Sequence, residues 1–154
     1  MVISNIDSVE NSREIGRQLT ERWCIEAGGD VEPFFELFDE SATCQSMVKP
    51  DLFPELGGVM TKQQFKDYVY AESRVSDLNV WVTGITAEPN RVAVEAASDM
   101  KVGEHVYQNV YHWLFEIKNG KVTAARYYFD TQLAHKFVEW LGEAGANMNT
   151  RDAK

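Results

Sequence analysis

The chain has 154 residues, a length typical of one domain, and 44% of them are hydrophobic. Fifteen basic and twenty-four acidic residues give a formal net charge of −9, which disfavours binding to nucleic acid or to an anionic membrane surface. The first residues lack a basic segment followed by an apolar run, and no apolar run is long enough to span a bilayer, so we expect a cytoplasmic location. Only Cys24 and Cys44 are present, and we expect both to be reduced.

Capping-box patterns mark the starts of two predicted helices. Asn11-Ser-Arg-Glu14 has this pattern, and apolar residues then repeat at four-residue spacing up to Trp23. The pattern recurs in Thr61-x-x-Gln64. The elements predicted for this half of the chain are a helix from residue 11 or 12 to 28, a short helix after residue 30, a strand at 41–48, a loop at 49–58 and a helix at 61–72.

Alternating apolar and polar residues predict antiparallel strands from Asp77 onward. Asn119-Gly120 is a strong signal for a hairpin turn, and Asp130 can cap a last helix. The predicted elements are strands at 78–83, 91–102, 105–118 and 121–129 and a helix at 130–142. The ends, at about 1–10 and 143–154, are expected to be frayed. This order predicts a single α+β domain with helices on one face of a bent sheet.

Two stretches resemble the nuclear transport factor 2-like superfamily, which includes SnoaL-like proteins, limonene-epoxide hydrolases and ketosteroid isomerases. "DVEPFFELFDESATCQSM" resembles its second helix and first strand, and "YQNVYHWLFEIKNGKVTAARYYFD" resembles its final hairpin. The resemblance covers about residues 15–140. It implies a cone, in which a strongly curved, mostly antiparallel sheet and its helices enclose a deep pocket, and often a homodimer through the outer face of the sheet. The fold hosts isomerases, dehydratases, hydrolases, polyketide cyclases and non-catalytic binders, so it does not define an activity.

Asp99 is the first candidate for a catalytic base. The register that the resemblance implies turns alternate residues of the strand at 91–102 toward the pocket, including Ala97, Asp99 and Lys101. A carboxylate in an apolar cone has a raised pKa and can take a proton from a carbon acid or from water. The alternative is a carboxylate at the rim that pairs with Lys101, which is then solvated rather than catalytic.

Tyrosines on the final hairpin are the candidate donors to a substrate oxygen. Tyr111 and Tyr127 can each donate an O–H to a developing oxyanion or a leaving hydroxyl group. Asn109 shares the strand face of Tyr111, whereas His112 lies on the opposite, outward face. The alternative is structural, because tyrosine is a common strand residue with a polar tip. The three histidines lack metal-binding spacing, and His135 is a candidate for the mouth of the pocket.

The limonene-epoxide hydrolase pattern is incomplete in this chain. Asp99 matches the first Asp of that pattern, but Ala97 replaces its Arg and Tyr127 replaces its second Asp. Cys44 and Ser46 stand in place of the Tyr and Asn that position water. In the ketosteroid isomerase pattern, Ser46 replaces the base. Epoxide hydrolysis is therefore an alternative rather than the first expectation.

We therefore expect a cofactor-independent acid–base enzyme for a small hydrophobic substrate of aryl, terpenoid, steroid-like or polyketide type. The expected reaction is that of a lyase, of the dehydratase or retro-aldol type, or of an isomerase. The alternatives are an epoxide hydrolase and a non-catalytic ligand-binding or scaffold protein. No metal or cofactor motif is present. The predicted catalytic residues are Asp99, Tyr111, Tyr127 and Lys101. The predicted substrate-binding residues are Asn109, Trp23, Phe38, Cys44, Phe65, Tyr68, Ala97, Tyr107, Trp113, Phe129 and His135.

Overall fold

A computed structural model of the protein describes residues 7–151. Its helices are α1 (Val9–Arg22), α2 (Glu32–Phe35), α3 (Lys62–Ser73) and α4 (Thr131–Glu143). Its strands are β1 (Phe38–Ser46), β2 (Val59–Thr61), β3 (Val80–Glu88), β4 (Arg91–Ser98), β5 (Met100–Val102), β6 (His105–Tyr107), β7 (Val110–Lys118) and β8 (Lys121–Phe129). Six strands form one sheet in the order β2-β1-β8-β7-β4-β3, and β5 pairs with β6.

The large sheet is antiparallel except for the pairing of β1 with β8. Its register shifts between Val82 and Gly84 of β3, and irregularities of this kind bend a sheet. Asn119 and Gly120 have φ values of 52° and 76°, so the predicted hairpin turn between β7 and β8 is confirmed. The architecture is the predicted α+β arrangement of a curved sheet with helices.

Several boundaries differ from the sequence prediction. Helix α1 begins two residues early because Ser8, rather than Asn11, is its N-cap and accepts a hydrogen bond from the Asn11 N–H at 3.1 Å. The strand predicted at 91–102 is interrupted at Asp99, and the strand predicted at 105–118 is interrupted before Val110. The sheet therefore gives way to the small β5-β6 hairpin at one end of β4 and β7.

The segment after α4 packs against the domain as far as it is described, which corrects the prediction of a frayed end at 143–151. Met148 is buried, and Arg151 Nη2 donates to the carbonyl of Pro54 at 2.8 Å. This contact joins the end of the chain to the loop between β1 and β2. Residues 1–6 and 152–154 of the predicted frayed ends lie outside the described residues.

The inner face of the sheet packs against the helices. Val92 and Val94 of β4 are fully buried under α1, where Gly16 allows a close approach. A Cβ atom at Gly16 would lie 2.9 Å from Val92 Cγ2, too close for any larger residue without movement. The valines of β4 therefore define its inner face.

The outer face of the sheet carries an exposed apolar row. Trp81, Ala97 and Val110 are cross-strand neighbours on β3, β4 and β7, and Trp81 and Val110 are 46% and 65% exposed. Tyr128 is also exposed there, beside His112. Exposed apolar side chains in a row are typical of surfaces that bind another protein. The predicted homodimer through this face stays a prediction.

We expect Val110→Lys to convert a wild-type dimer into a monomer, because the change would bury a charge in the apolar row of each copy. Sedimentation equilibrium measures the mass of each variant. Val106→Lys is the matched control, since Val106 is exposed on β6 rather than on the large sheet. A monomeric wild-type protein, or equal effects of both substitutions, would contradict the prediction.

Candidate active site

A narrow cavity of about 80 Å³ lies between the inner face of the sheet and helices α3 and α4. A cavity of this size holds a few water molecules, so its walls must move apart to admit even a single-ring substrate of the predicted aryl or terpenoid type. Its lining is mainly aromatic and aliphatic. The lining residues are Trp23, Ser46, Leu56, Phe65, Tyr68, Glu72, Met100, Tyr107, Tyr111, Trp113, Tyr127, Phe129, Ala134, Phe137 and Val138.

The face of β7 assigned from the sequence does look into the cavity. Tyr111 and Trp113 line it together with Tyr107 of β6, whereas His112 is exposed on the outer face. Of the other candidates, Tyr127, Trp23, Phe65, Tyr68 and Phe129 also line the cavity. Their roles in binding or catalysis stay predictions.

A hydrogen-bond network fixes two of the phenols. Tyr111 and Ser98 share a hydrogen bond at 2.8 Å between their hydroxyl oxygens. Asn109 does not line the cavity but is buried behind it, where its Nδ2 donates to the Tyr107 hydroxyl at 2.6 Å and to the carbonyl of Asp130 at 3.0 Å. The Tyr107 oxygen accepts from Asn109, so its own O–H remains a donor for a bound molecule. Asn109 is thus a positioning residue.

Among residues 7–151, Glu72 is the only one with a carboxyl group that lines the cavity. It lies near the end of α3, is 7% exposed, and has no hydrogen-bond or ion-pair partner for its side chain among residues 7–151. Burial alone raises the pKa of Glu72 to about 8, because the ionised form is deprived of water. The carboxyl group is therefore mostly protonated at neutral pH and can act as an acid.

Three phenols surround this carboxyl group. Burial raises the pKa values of Tyr68, Tyr107 and Tyr111, that of Tyr107 to about 12, and the charge of Glu72 raises all three further. The phenols therefore stay protonated and act as hydrogen-bond donors rather than as bases. The site combines one acid with several neutral donors in an apolar enclosure.

Glu72 is not among the site residues predicted from the sequence, although the sequence contains a signal for it. Glu72 follows Phe65 by seven residues, Tyr68 by four and Val69 by three, so it lies on the apolar face of α3. A carboxylate at such a position must be buried. The helix was predicted correctly at 61–72, but Glu72 was considered only as its end.

Tyr127 has a buried hydroxyl group without a hydrogen-bond partner in the described residues. Its ring is held between Phe65, with ring centroids 5.1 Å apart, and Trp113, at 5.8 Å. Burial raises the pKa of Tyr127, and nearby Cys44 raises it further. Unpaired buried polar groups are rare in folded proteins and commonly mark functional positions.

The predicted orientation of Asp99 and of β4 is wrong. The buried residues of this stretch alternate as Val92, Val94, Ala96, Ser98 and Met100, so Ala97 and Asp99 face away from the cavity.

Asp99 lies in a surface groove with Cys24, Asn79 and Lys101, and Lys101 is exposed. The physical reason is that the branched apolar side chains fill the space under α1, where a carboxylate would lose its hydration. Asp99, Lys101 and Ala97 are therefore not placed to meet a ligand in the cavity.

Three further candidates lie elsewhere. Phe38 and Cys44 are buried in the core without lining the cavity, and burial raises the pKa of the Cys44 thiol to about 12. His135 is exposed on the outer side of α4, where its ring stacks on Phe53 at 3.9 Å. His105 stacks on Trp140 at the surface. The histidines therefore do not line the cavity.

We expect Tyr127→Phe to raise the free energy of unfolding by about 1 kcal/mol, because it deletes a buried hydroxyl group that has no partner in the chain. Tyr111→Phe is the matched control and should lower this free energy by about 1 kcal/mol, because it breaks the hydrogen bond with Ser98. Urea denaturation of the ligand-free proteins measures both. A loss of stability in Tyr127→Phe would show that its hydroxyl group is satisfied.

We expect Glu72→Gln to alter how stability depends on pH. With a pKa of about 8 when folded and 4.5 when unfolded, Glu72 releases a proton on unfolding between these values. The contribution of Glu72 to the free energy of unfolding is fully present below pH 4.5. Between pH 4.5 and pH 8 it falls by about 1.4 kcal/mol per pH unit. When measured by urea denaturation at pH 5, 6, 7 and 8, the free energy of unfolding of the variant should rise relative to that of the wild type at this rate. A constant difference over this range would contradict the assignment.

Within residues 7–151, no group of three or more His, Cys, Asp or Glu side chains is arranged to hold a metal ion. The helices of the same segment include none that is long and apolar enough to cross a membrane.

Neither protein-family models nor curated protein sequences match this chain. Solved structures do. The BvnE pinacolase from Penicillium brevicompactum aligns with a TM-score of 0.74 at 12% identity, over 93% of this chain and 97% of that chain. An LEH-like epoxide hydrolase from M. tuberculosis aligns with a TM-score of 0.64 at 12% identity, over 88% and 92% of the two chains.

An NTF2-like protein from Anabaena variabilis ATCC 29413 also aligns with a TM-score of 0.64, at 16% identity, over 84% of this chain and 94% of that chain. These identities are low, but the alignments extend over nearly the whole of each chain. They confirm the resemblance that was inferred from the second helix and the final hairpin. The chain has the fold of the nuclear transport factor 2-like superfamily.

Proposed function

We propose that the protein is a cofactor-independent acid–base enzyme that binds a small, largely apolar molecule in this cavity, with Glu72 as the group that transfers the proton. The observation that carries the proposal is the single carboxyl group in an aromatic enclosure, buried without a partner in the described chain. Ion pairs with a purely structural role can also shift the pKa of a carboxyl group, but Glu72 has no ion-pair partner among residues 7–151. The pinacolase and the epoxide hydrolase among the structural neighbours support an enzymatic role for the fold.

The reaction that the site supports best is dehydration. The protonated Glu72 carboxyl group gives its proton to a hydroxyl group of the substrate, and the C–O bond breaks with release of water. The Glu72 carboxylate then takes a proton from the neighbouring carbon, a C=C bond forms, and the acid is restored. Tyr107 and Tyr111 donate hydrogen bonds to the leaving oxygen. The protein is thus proposed to be a lyase of the dehydratase type.

Isomerisation and retro-aldol cleavage would begin from the other protonation state. In those reactions the Glu72 carboxylate first removes a proton from the substrate, so the deprotonated form is active. Epoxide opening by water would need a second group to activate the water, and the part of the chain that the structure describes places no second carboxyl group in the lining of the cavity. The pH dependence of kcat distinguishes dehydration from isomerisation and retro-aldol cleavage.

We expect Glu72→Gln to lower kcat at least 100-fold on any substrate that the enzyme turns over, since the amide cannot transfer the proton. A panel of cyclic aryl and terpenoid alcohols, with products identified by gas chromatography and mass spectrometry, supplies the substrate. Asp99→Asn is the matched control and should retain activity, because Asp99 lies outside the cavity. Equal activity of Glu72→Gln and the wild type would overturn the proposal.

For dehydration, kcat should be constant below pH 8 and fall as pH rises through the pKa of Glu72, about 8 in the unliganded protein. A profile that instead rises through this pH would favour isomerisation or retro-aldol cleavage. Binding without turnover of any alcohol in the panel would favour a ligand-binding protein.

A further inference from the structure

Two neighbouring residues with hydroxyl groups line the part of the cavity formed by β1 and β8. Ser46 of β1 and Tyr127 of β8 are paired across these parallel strands, and both line the cavity. The Tyr127 hydroxyl is buried without a partner, and the Ser46 side chain makes no hydrogen bond within residues 7–151. Two neighbouring donors are therefore left unpaired beside the same space.

The Tyr127 ring cannot turn away to find a partner elsewhere. Phe65 stacks on one face of it at an interplanar angle of 21°, and the rings of Trp113 and Phe115 meet it edge-on, with centroids 5.8 and 6.0 Å away. A ring held on several sides keeps its hydroxyl oxygen in one place, and only the O–H bond can rotate.

This pair of hydroxyl groups is separate from the acid of the proposed active site. Trp113 lies between the two regions, with its ring 5.3 Å from that of Tyr111 and 5.8 Å from that of Tyr127. The charge of Glu72 raises the pKa of Tyr111, whereas the pKa of Tyr127 is raised by burial and by Cys44. The lining of the cavity thus has two separate groups of polar side chains, with the ring of Trp113 between them.

We propose that Ser46 and Tyr127 form a second polar subsite that accepts a carbonyl oxygen of the substrate. Each residue has one O–H to donate and a carbonyl oxygen has two lone pairs, so a single ketone or aldehyde satisfies both donors. The subsite rests on the proposed function in placing the reacting hydroxyl group at Glu72. The implied substrate class is a flat, apolar compound with a carbonyl group at one end and a hydroxyl group at the other.

Four probes that share one aromatic ring test the subsite by isothermal titration calorimetry. 4-Hydroxyacetophenone carries both oxygens, acetophenone carries only the carbonyl, 4-ethylphenol carries only the hydroxyl, and ethylbenzene carries neither. Tyr127→Phe and Ser46→Ala should each weaken the two carbonyl probes about 3- to 10-fold and leave the other two unchanged. Tyr128→Phe is the matched control and should leave the binding of all four probes unchanged, because Tyr128 is exposed on the outer face of the sheet.

The infrared carbonyl band of bound acetophenone gives an independent readout. It should lie at lower frequency in the wild-type protein than in Tyr127→Phe, because a hydrogen bond weakens the C=O bond. The subsite is overturned if the wild type, Tyr127→Phe and Ser46→Ala bind each probe with the same affinity. It is also overturned if the wild type binds acetophenone no more tightly than ethylbenzene.

The failure of the subsite and that of the proposed function can be distinguished. Probe binding needs no turnover, so a Tyr127-dependent preference for carbonyls together with full activity of Glu72→Gln would retain the subsite and reject the acid. Loss of activity in Glu72→Gln, together with carbonyl binding that does not depend on Tyr127, would retain Glu72 as the acid and reject the subsite.

Discussion

The packing of one side chain, Trp23, holds the walls of the cavity in place. Trp23 caps the end of α1, and its ring meets Phe34 of α2 at 4.6 Å, Phe65 of α3 at 6.4 Å and Trp113 of β7 at 5.9 Å. Aromatic contacts of this kind stabilise a fold beyond the burial of their area. Because this one ring touches two helices and the sheet, the distance of α3 from β7 depends on it, and so does the position of Glu72 opposite Tyr111.

The cavity that results places polar groups where folding alone would favour apolar ones. Glu72 lacks a partner for its carboxyl group, and Tyr127 lacks one for its hydroxyl group, within the described chain. Both features cost stability, whereas the Ser98–Tyr111 and Asn109–Tyr107 hydrogen bonds do not. Local departures from good packing chemistry are expected mainly at functional sites, and these two occur in one cavity. The other buried polar atoms without a partner among residues 7–151, Asp99 Oδ1 and Thr150 Oγ1, lie outside it.

The sequence predicted the fold and one wall of the site because local signals agreed with the tertiary structure. The Asn119-Gly120 turn sets the register of β7 and β8, and this register points Tyr111 and Trp113 inward.

On β4 the resemblance to the superfamily and the hydrophobic pattern predict opposite inner faces. Val92 and Val94 alternate with Arg91, Ala93 and Glu95, a pattern that predicts the valine face as the inner one and turns Asp99 outward. The burial of Glu72 could also be predicted from the sequence, because this residue lies on the apolar face of α3. The pairing of Ser46 with Tyr127 could not be predicted in this way, because it depends on a parallel contact between two residues that are 81 positions apart in the sequence.

The part of the structure that no local pattern predicts also influences the chemistry. Leu56, from the loop between β1 and β2, lines the cavity, and Arg151 donates to the carbonyls of Pro54 and Glu55 in the same loop. These contacts hold the loop over the cavity. Since burial is the sole cause of the raised pKa of Glu72, any segment that excludes water from the cavity helps to keep this carboxyl group protonated. The segment around Arg151, distant in sequence from α3, thereby helps to keep Glu72 in the protonated form on which the proposed reaction depends.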